Sequence, residues 1–375
     1  LQEVGYKLPG KKIVINMAPA DIKKVGSAYD LPIAIGILAA SEQISSELCD
    51  KYIIMGELSL DGNVCPIKGA LPIAIAAKEK GFKGVILPAQ NADEASVVED
   101  IEVYGVENIT QVIDFFNSDE ILTPIPIDVN SKFLSKTTDY KLDFSDVKGQ
   151  MAVKRALEIA ASGNHNILMI GSPGSGKTML AKRIPTILPP LSLEESLETT
   201  KIHSVKGLLP YRNSLITLRP FRAPHHTISD VGLVGGGAFP QPGEISLSHN
   251  GVLFLDELPE FKRTVLEALR QPLEDMQITI TRSNISLNFP SNFMLVAAMN
   301  PCPCGYFNHP SKECKCTQYS IQRYLNKISG PLLDRIDMHV EVVPVSYKEI
   351  STLKDGENSE DIRKRVTKAR IIQEN

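Results

Sequence analysis

Runs of apolar residues predict a first region in which strands and helices alternate. Residues 11–19 (KKIVINMAP) and 51–58 (KYIIMGEL) carry short apolar runs of the kind found in strands. Residues 72–81 (PIAIAAKEKG) have a helical period and end at a glycine, which is a common helix stop. The pattern therefore predicts an α/β domain over residues 1–116.

A second α/β region is predicted at residues 144–345. Residues 151–162 (MAVKRALEIAAS) predict a helix and residues 165–171 (HNILMIG) a strand, followed by a glycine-rich loop and a helical segment, MLAKRIPTI. Further apolar runs, VLFL and FMLVAAM, predict strands buried on both faces. This order is typical of a parallel sheet. Residues 117–143 have no clean period and predict a linker, and residues 346–375 predict the start of a helical lid.

Composition excludes some classes of protein. The chain has 375 residues, 43% of them hydrophobic, which suffices for one large core or two ordinary ones. A net charge of −4 argues against a globally basic nucleic-acid binder but permits a local basic groove. No run of eighteen apolar residues occurs, so no membrane span is expected. The scattered Cys49 and Cys65 favour a reducing, cytoplasmic setting, and the first residue, Leu1, leads us to expect a fragment of a longer protein.

A phosphate-binding loop is predicted at GSPGSGKT, which fits G-x-x-x-x-G-K-[ST] between a strand and a helix. Its glycines let backbone N–H groups face phosphate oxygens, and the helix N-terminus adds positive potential. Lys177 is predicted to reach the β- and γ-phosphates of ATP and Thr178 to bind Mg²⁺; the alternative is a plain glycine turn. The predicted ATP-binding residues of the loop are Gly171, Ser172, Pro173, Gly174, Ser175, Gly176, Lys177 and Thr178.

Polar residues at the ends of the two later strands predict the rest of the catalytic site. Asp256 is predicted to hold Mg²⁺ through water, and Glu257 to polarise the attacking water. Asn300 is predicted to orient that water beside the γ-phosphate, with a simple turn residue before Pro301 as the alternative.

Arg335 lies between two aspartates in SGPLLDRIDMHVEV, residues 329–342, on what we expect to be a short exposed turn. A guanidinium there is predicted to reach the γ-phosphate of a neighbouring subunit. The site would then be completed by oligomerisation, and a closed ring is the natural assembly. The alternative is a surface salt bridge to Asp334 or Asp337.

A local basic insert lies between the phosphate loop and the Asp256 strand. No Asp or Glu occurs from Thr199 to Ser229. The stretch is predicted to line a ring pore and to contact DNA phosphates; a solvated hairpin, or arginines used in subunit contacts, are the alternatives. His225 and His226 are predicted to point apart on a strand and to pack as polar side chains. The candidate DNA-contacting residues are Lys201, Lys206, Arg212, Arg219 and Arg222.

Four of the six cysteines are crowded into CPCGYFNHPSKECKC, residues 302–316. Two C-x-C pairs in a reducing compartment indicate a tetrahedral, structural Zn²⁺ site, with His309 as a substitute ligand. The spacing departs from the usual C-x₂₋₄-C, so free thiols or disulfides stay open as alternatives. The candidate ligands are Cys302, Cys304, Cys314 and Cys316.

Three stretches together resemble the magnesium-chelatase-like group of AAA+ ATPases, and within it the ComM (YifB) family. They are GEISLSHNGVLFLDELPEF, RPFRAPHHTISDVGLVGGG and SGPLLDRID, and the resemblance extends over nearly the whole chain. It implies a P-loop AAA+ parallel-sheet domain with a truncated helical lid, assembled as a hexameric ring. It also implies a DNA helicase that uses ATP and Mg²⁺ to drive branch migration during natural transformation. In DVKGQ, it places Val147 and Gly149 beside the adenine.

Residues 1–116 resemble the proteolytic domain of Lon, an α/β domain of the ribosomal S5 domain 2-like type. The match is closest in GELSLDGNVCPIKGALPIAIAAKEKGFKGVILP. Lon cleaves peptides with a Ser–Lys dyad, whose positions here hold Ile33 and Pro72. We therefore expect no peptidase activity and interpret Lys68 as a solvated surface lysine. We expect the domain to serve as a scaffold or as a docking module for an unknown protein partner.

Three other functions stay open at this point. They are a metal-chelatase-type ATPase subunit, an ATP-dependent protease, and a protein-remodelling AAA+ ATPase. The Lon-like region and the RAPHH stretch argue against the chelatase, and Ile33 and Pro72 argue against the protease. The sequence does not decide against remodelling, because pore loops grip peptides as well as nucleic acid.

Overall fold

The structure is a computed structural model that describes residues 5–10, 12–17, 26–117, 122–126, 133, 140–209, 215–237, 239–282, 285–345 and 356–374. The chain divides into two compact units. Unit 1 comprises Leu1–Ser135 and Ser196–Ile216, and unit 2 comprises Lys136–Glu195 and Thr217–Asn375. Much of the predicted linker, the first ten residues of the predicted lid and Arg212 lie outside the described residues.

Unit 1 is an α/β unit built on a three-stranded parallel sheet. Its described elements are β1 (Tyr52–Ile54), β2 (Glu57–Leu58), β3 (Val64–Cys65), β4 (Gly84–Pro88), β5 (Glu102–Val106), α1 (Asp30–Ala40), α2 (Ala70–Glu79), α3 (Ala89–Ala95) and α4 (Ile109–Asn117). The sheet has β4 between β1 and β5, and β2 pairs with β3 as an antiparallel hairpin. Leu31, Ile35 and Leu38 of α1 pack in one core with Ile86 and Phe116.

Two of the elements predicted in unit 1 have different outcomes. The predicted helix over residues 72–81 is α2, and Gly81 follows it with φ +75°. The predicted strand over residues 11–19 is wrong for residues 12–17, which form no strand. Val14 is 78% exposed there. An alternating pattern yields a strand only where a neighbour pairs with its backbone, and none of the described strands pairs with residues 12–17.

Unit 2 contains the remaining described elements. Its strands are β6 (Ile167–Ile170), β7 (Phe221–Arg222), β8 (Gly235–Gly236), β9 (Gln241–Pro242), β10 (Val252–Leu255), β11 (Gln277–Arg282), β12 (Ile285–Pro290), β13 (Met294–Met299) and β14 (Met338–Glu341). Its helices are α5 (Met151–Gly163), α6 (Lys177–Ala181), α7 (Ile184–Ile187), α8 (Leu193–Lys206), α9 (Asp230–Val234), α10 (Glu244–Leu247), α11 (Arg263–Glu267), α12 (Arg270–Asp275), α13 (Gln318–Leu325), α14 (Gly330–Leu333) and α15 (Ser359–Glu374). Helix α8 begins in unit 2 and belongs to unit 1 from Ser196 onward.

The five-stranded sheet of unit 2 is parallel throughout, as the sequence predicts, whereas β8–β9 and β11–β12 are separate antiparallel pairs. Its order is β14-β6-β13-β10-β7, so β6 lies between β14 and β13. Successive side chains of β10 enter different cores: Val252 and Phe254 join one cluster, and Leu253 and Leu255 the other. Both faces of the sheet are therefore covered, which explains the uninterrupted apolar runs of its strands. None of the described helices has the length and apolarity that crossing a membrane requires.

The helix predicted over residues 179–187 is divided into α6 and α7. Pro185 has no N–H to donate to the carbonyl of Ala181, so a continuous helix would lose a hydrogen bond there. The chain turns at Lys182 and Arg183 and restarts with Pro185 in the first turn of α7. This break leaves α6 as a short helix directly behind the phosphate loop.

An ion pair fixes the segment before α5 to the turn between α6 and α7. Arg183 donates to the Asp146 carboxylate at 2.7 Å from Nη2 and 3.2 Å from Nε, and the Arg183 side chain is 10% exposed. The hydrogen bonds from Arg183 lower the pKa of Asp146 below its ordinary value. Because the folded-state pKa is depressed, the pair stabilises the fold above the unfolded pKa of about 3.9, and this contribution is lost as pH falls through the folded pKa.

Asp146→Asn is expected to lower the melting temperature at pH 7 by about 2–4 °C, equivalent to roughly 1 kcal/mol for a partly exposed pair. The difference between the two proteins should shrink as pH falls from 7 towards 3, because wild-type Asp146 then becomes neutral as well. Thermal unfolding of both proteins across this pH range measures the difference in melting temperature. Glu99→Gln, at an exposed glutamate, is a charge-matched control. An equal difference at every pH would contradict this account.

Candidate nucleotide site

The predicted catalytic residues of one chain meet at one edge of the sheet in unit 2. The phosphate loop follows β6, Asn300 follows β13, and Asp256 follows β10. These three strands are parallel neighbours, so their carboxyl ends share an edge. Gly171 N donates to Met299 O at 3.1 Å, which joins the start of the loop to the end of β13.

The phosphate loop has the open turn that its glycines predict. Gly174 and Gly176 have φ of +79° and +94°, a region that favours glycine. A Cβ at Gly171 would lie 2.4 Å from Val342 O, so the loop also needs a glycine where it passes β14. The hydroxyls of Ser172 and Ser175 are buried without a hydrogen-bond partner among the described residues. Unsatisfied buried hydroxyls beside such a turn fit an anionic ligand with many acceptor oxygens.

Lys177 is a buried cation held by oxygen atoms. Its Nζ donates to Gly171 O at 2.7 Å, Ser172 O at 3.0 Å and Asn300 Oδ1 at 3.3 Å. Burial lowers the pKa of Lys177 below its ordinary value, because the charged form loses hydration. A phosphate group at this position would compensate the ammonium charge more fully than these neutral oxygens do.

The two predicted magnesium-binding side chains are in direct contact. Thr178 Oγ1 donates to Asp256 Oδ2 at 2.7 Å. A hydroxyl beside a carboxylate, both at the phosphate loop, is an oxygen donor set of the kind that Mg²⁺ takes together with water and phosphate. The residues present therefore fit a magnesium–nucleotide complex.

Glu257 contacts a histidine that the sequence did not assign to the site. His226 Nδ1 lies 3.0 Å from Glu257 Oε2, and Glu257 has a left-handed backbone with φ +52°. The prediction that His225 and His226 point apart on a strand is wrong, because they lie in a turn after β7 with ring centroids 4.1 Å apart. The rule of alternating side chains does not apply in a turn.

Gln150 is a second contact that sequence reasoning missed. Its Nε2 donates to Ser175 O at 2.7 Å and to Val343 O at 3.1 Å, which connects the phosphate loop to the end of β14. Gly149 and Gln150 both have positive φ, and Val147, predicted to lie beside the adenine, is buried in the sheet core. The signal available in the sequence was the glycine–polar pair directly before α5.

Arg335 lies at the other end of the sheet. It precedes β14, and its carbonyl accepts from Asn166 Nδ2, which precedes β6, at 2.9 Å. The four residues of β6 between these positions and the phosphate loop span about 13 Å. The Arg335 side chain is 22% exposed and pairs with Glu274. Arg335 does lie in a turn, after α14, as predicted. The expected exposure of its side chain and the alternative salt bridge to Asp334 or Asp337 are wrong, because the guanidinium folds back onto α12.

The candidate DNA-contacting residues are spread over different elements. Lys201 and Lys206 lie on the part of α8 that belongs to unit 1. In unit 2, Arg222 makes two hydrogen bonds with Glu244, at 2.6 and 2.8 Å. Arg219, only 13% exposed, donates to Pro189 O and Asn250 O and pairs with Glu195. Both arginines are therefore already engaged within the subunit, which leaves the two lysines as the stronger DNA candidates among the described residues.

The four candidate zinc ligands come together, as the spacing predicted. Their sulfur atoms all lie within 4.8 Å of one another, and none is in a disulfide. The backbone N–H groups of Tyr306 and Lys315 donate towards Cys304 and lower the pKa of its thiol to about 6. His309, the substitute ligand, instead accepts backbone hydrogen bonds from Ser311 and Lys312 at 3.1 Å.

Comparison with known proteins gives matches along the whole chain. A family profile described as magnesium chelatase, subunit ChlI, matches residues 143–350, and one described as subunit ChlI of Mg-chelatase matches residues 1–91. Competence protein ComM of Haemophilus influenzae is 46% identical over an alignment of 378 positions, which covers 100% of this chain and 73% of the relative. Protein YifB of Escherichia coli is 46% identical over 368 residues, 98% of this chain and 71% of the relative. The chain belongs to the ComM/YifB family of magnesium-chelatase-like AAA+ proteins.

Membership of the ComM/YifB family confirms the resemblance found in the motifs and the predicted α/β architecture. The magnesium-chelatase-like AAA+ assignment implies ATP and Mg²⁺ as ligands and suggests ATPase activity. That agrees with the fit of the phosphate loop, Lys177 and the Thr178–Asp256 pair to a magnesium nucleotide.

The N-terminal region of this ComM/YifB chain also has partial similarity to Lon. Archaeal Lon protease of Halobacterium salinarum is 34% identical over 114 residues, which are 29% of this chain and 16% of the relative. Ile33 lies in α1 and Pro72 in α2. Neither side chain can donate or accept a proton, so the two positions cannot form a Ser–Lys dyad. The nearby Ser27 hydroxyl bonds the Glu57 carboxylate, and Lys68 is exposed, with its carbon stem against Gly207.

Proposed function

We propose that the chain is the ATP-hydrolysing subunit of a ring that moves along DNA and promotes branch migration, with a role in competence. The observation that carries the ATPase part is the meeting of the phosphate loop, the Thr178–Asp256 pair and Asn300 at one edge of the sheet. The competence role is supported by the name of the Haemophilus influenzae relative, which is similar along the full chain.

Each side chain at this edge has a distinct part in the proposed reaction. Lys177 places its charge on the β- and γ-phosphates, and Thr178 and Asp256 hold Mg²⁺, which neutralises charge on the transferring phosphate oxygens when bound. Glu257 takes the proton of the attacking water, and Asn300 fixes that water's orientation. The hydrogen bond of 3.3 Å between Lys177 Nζ and Asn300 Oδ1 supports this role, because Lys177 is the residue proposed to contact the γ-phosphate.

Arg335 supports a ring in which sites are shared between subunits. Within one chain it lies at the amino edge of the sheet, whereas the phosphate loop lies at the carboxyl edge. The parallel sheet thus keeps Arg335 away from the nucleotide of its own chain. A head-to-tail neighbour can bring the two edges together, and such contacts close into rings. We propose a hexamer, as the family resemblance implies. In this ring Arg335 would release Glu274 and contact the γ-phosphate of ATP bound to the neighbouring subunit.

The His226–Glu257 contact supplies a route by which DNA could act on hydrolysis. His226 belongs to the stretch without acidic residues, and its imidazole is 3.0 Å from the carboxylate proposed as the base. While this contact is made, His226 engages Oε2 of Glu257 and competes with the attacking water for that oxygen. We propose that DNA bound beside His226 draws the imidazole away and releases Glu257.

His226→Ala is expected to raise the ATPase rate without DNA several-fold and to reduce the further stimulation by DNA. The physical reason is that the Glu257 carboxylate is then free of the histidine contact even without DNA, so DNA has no contact to break. Steady-state ATPase assays with and without DNA measure both effects. His225→Ala is the matched control, since His225 contacts Thr227 of its own turn at 2.9 Å. A variant that hydrolyses ATP more slowly and keeps full DNA stimulation would count against the coupling.

Branch migration itself is tested with a labelled four-way DNA junction. The full chain is expected to convert the junction to two duplexes with ATP and Mg²⁺, and not with a non-hydrolysable analogue. The same preparation should hydrolyse ATP faster in the presence of the junction. ATP hydrolysis that leaves every junction intact would exclude the DNA motor while keeping the ATPase.

A metal-chelatase ATPase subunit is the second candidate function. Both family profiles carry that name, and together they match residues 1–91 and 143–350. The sequence alone suggested that the N-terminal region argues against a chelatase, but the match over residues 1–91 removes that argument. An assay of Mg²⁺ insertion into a porphyrin, in the presence of the other chelatase subunits, separates the two: a chelatase subunit supports insertion and shows no DNA stimulation.

For unit 1 we propose docking rather than peptide cleavage. Its dyad positions are Ile33 and Pro72, so the absence of peptidase activity stays a prediction from chemistry. Cleavage of peptides by the purified chain that disappears on Ser27→Ala or Lys68→Ala would overturn it.

A further inference from the structure

The loop between β13 and α13 is closed by its cysteines and not by secondary structure. Residues 300–317 contain no helix or strand. Sulfur–sulfur distances are 3.4 Å for Cys302–Cys304, 3.7 Å for Cys302–Cys314 and 3.6 Å for Cys304–Cys314. Four sulfurs around Zn²⁺, each about 2.3 Å from the metal, lie about 3.8 Å apart, whereas a disulfide needs about 2.05 Å. The three distances therefore match the edges of a metal–thiolate tetrahedron, and the Cys316 sulfur lies within 4.8 Å of the other three.

Backbone N–H groups are arranged to support thiolates at this cluster. Phe307 N donates to Cys302 Sγ at 3.3 Å, and the N–H groups of Tyr306 and Lys315 point to Cys304. The turn is closed by Gly305, whose N–H donates to Cys302 O at 2.9 Å with φ +83°. N–H donors to sulfur offset the negative charge that four thiolates place around a divalent ion. This arrangement is a second feature of a metal site, independent of the sulfur distances.

The same turn lies directly against the phosphate loop. A Cβ on Gly305 would be 2.5 Å from Pro173 Cδ and 3.8 Å from Asn300 Cγ. Asn300 is two residues before Cys302 and accepts a hydrogen bond from Lys177. The position of the turn therefore determines how closely the phosphate loop and Asn300 can pack.

We propose that the cysteine cluster (Cys302, Cys304, Cys314 and Cys316) binds one Zn²⁺ and that this ion braces the phosphate loop through Gly305 and Pro173. Four thiols release four protons to coordinate the ion, and no oxidation state changes. All four positions are protein ligands, so the ion has no open position for substrate and acts structurally. The bracing part of this proposal rests on the proposed nucleotide site; the metal part does not.

Zn²⁺ is favoured over the other common ions by the donor set. Soft thiolate ligands in a tetrahedral arrangement select zinc or iron, whereas Mg²⁺ and Ca²⁺ take oxygen donors. A loop of this length without secondary structure gains most from a closing link, because its residues bury little apolar surface. Metal analysis distinguishes zinc from iron directly.

The metal part is tested on the full chain purified under reducing conditions without metal-affinity resin. Mass spectrometry of the metals is expected to find about one zinc per chain, and Co²⁺ exchanged into the site should give the intense thiolate charge-transfer bands of tetrahedral Co–S₄. A Cys314→Ser, Cys316→Ser double variant should lose the zinc, and Cys49→Ser, outside the cluster, should keep it. Less than one zinc per ten wild-type chains, with no cobalt bands, would overturn the site.

The bracing part is tested by nucleotide binding. Removing zinc with a chelator, in protein whose folding is checked by circular dichroism, is expected to weaken binding of a fluorescent ATP analogue about tenfold, with recovery on adding Zn²⁺. Gly305→Ala should keep its zinc and show a similar loss, because its methyl group would press on Pro173. Gly81→Ala is the matched control, a positive-φ glycine with open space around its Cβ position.

The outcomes separate the two proposals. Unchanged affinity after zinc removal and in Gly305→Ala would overturn the brace and leave the metal site standing. A zinc-loaded wild type that binds no nucleotide at all would instead contradict the proposed nucleotide site.

Discussion

Glu257→Gln is expected to bind ATP as tightly as the wild type and to hydrolyse it at least about 10²-fold more slowly. The amide keeps the shape of the side chain but cannot accept the proton of the attacking water. The phosphate loop, Lys177 and the Thr178–Asp256 contact are unchanged, so binding should persist. Equilibrium binding of a fluorescent ATP analogue and steady-state phosphate release measure the two quantities separately.

Two variants serve as controls for Glu257→Gln. Lys177→Ala should lose both binding and hydrolysis, because the cation nearest the phosphates is removed. Glu260→Gln, three residues further along the chain and paired with Lys327 at 3.2 Å, should change neither. If Glu257→Gln retained more than half of the wild-type rate, the attacking water would have another base.

Arg335→Ala is expected to lower the ATPase rate of the assembled ring by about 10³-fold, at the lower end of the effect of an arginine supplied by a neighbour. Because the length of β6 separates Arg335 from its own phosphate loop, the arginine would act on the nucleotide of a neighbouring subunit, and the variant removes that contact. A mixture of Arg335→Ala and Glu257→Gln subunits should be more active than either variant alone. In the mixture, the intact nucleotide site of one subunit meets the intact arginine of the other.

The mixing experiment also distinguishes catalysis in trans from a structural role of Arg335. In the isolated chain Arg335 pairs with Glu274, so its loss could disturb α12. Glu274→Gln removes that pair while keeping the arginine, and should leave the rate unchanged or raise it. Mixed rings no more active than the two separate variants, at a subunit concentration where wild-type rings form, would show that Arg335 does not act on a neighbour.

Much of the nucleotide site could be predicted from the sequence because its parts are local. The phosphate loop, Asp256 and Asn300 each directly follow a strand, and parallel strands bring their carboxyl ends to one edge. The cysteine cluster was predicted for a similar reason, since the two C-x-C pairs lie within one short loop. The parallel sheet followed from apolar runs that are buried on both faces.

The contacts that could not be predicted from the sequence join residues that are distant along the chain. Glu274 is 61 residues from Arg335, and nothing near either residue marks them as partners. His226 approaches Glu257 because a turn, and not a strand, follows Arg222. Residues 12–17 have a strand pattern but no pairing strand among those described. A local pattern indicates which secondary structure a segment favours, but the strand or side chain that pairs with that segment is determined by the rest of the fold.

The central claim, an ATPase coupled to DNA, is tested most directly by the ATPase rate of the full chain with and without single-stranded and branched DNA at two salt concentrations. Glu257→Gln gives the background rate. A several-fold stimulation by DNA that weakens at the higher salt is predicted, since phosphate contacts by lysines such as Lys201 and Lys206 are salt-sensitive. A rate indifferent to every DNA at both salt concentrations, above the Glu257→Gln background, would contradict the DNA motor.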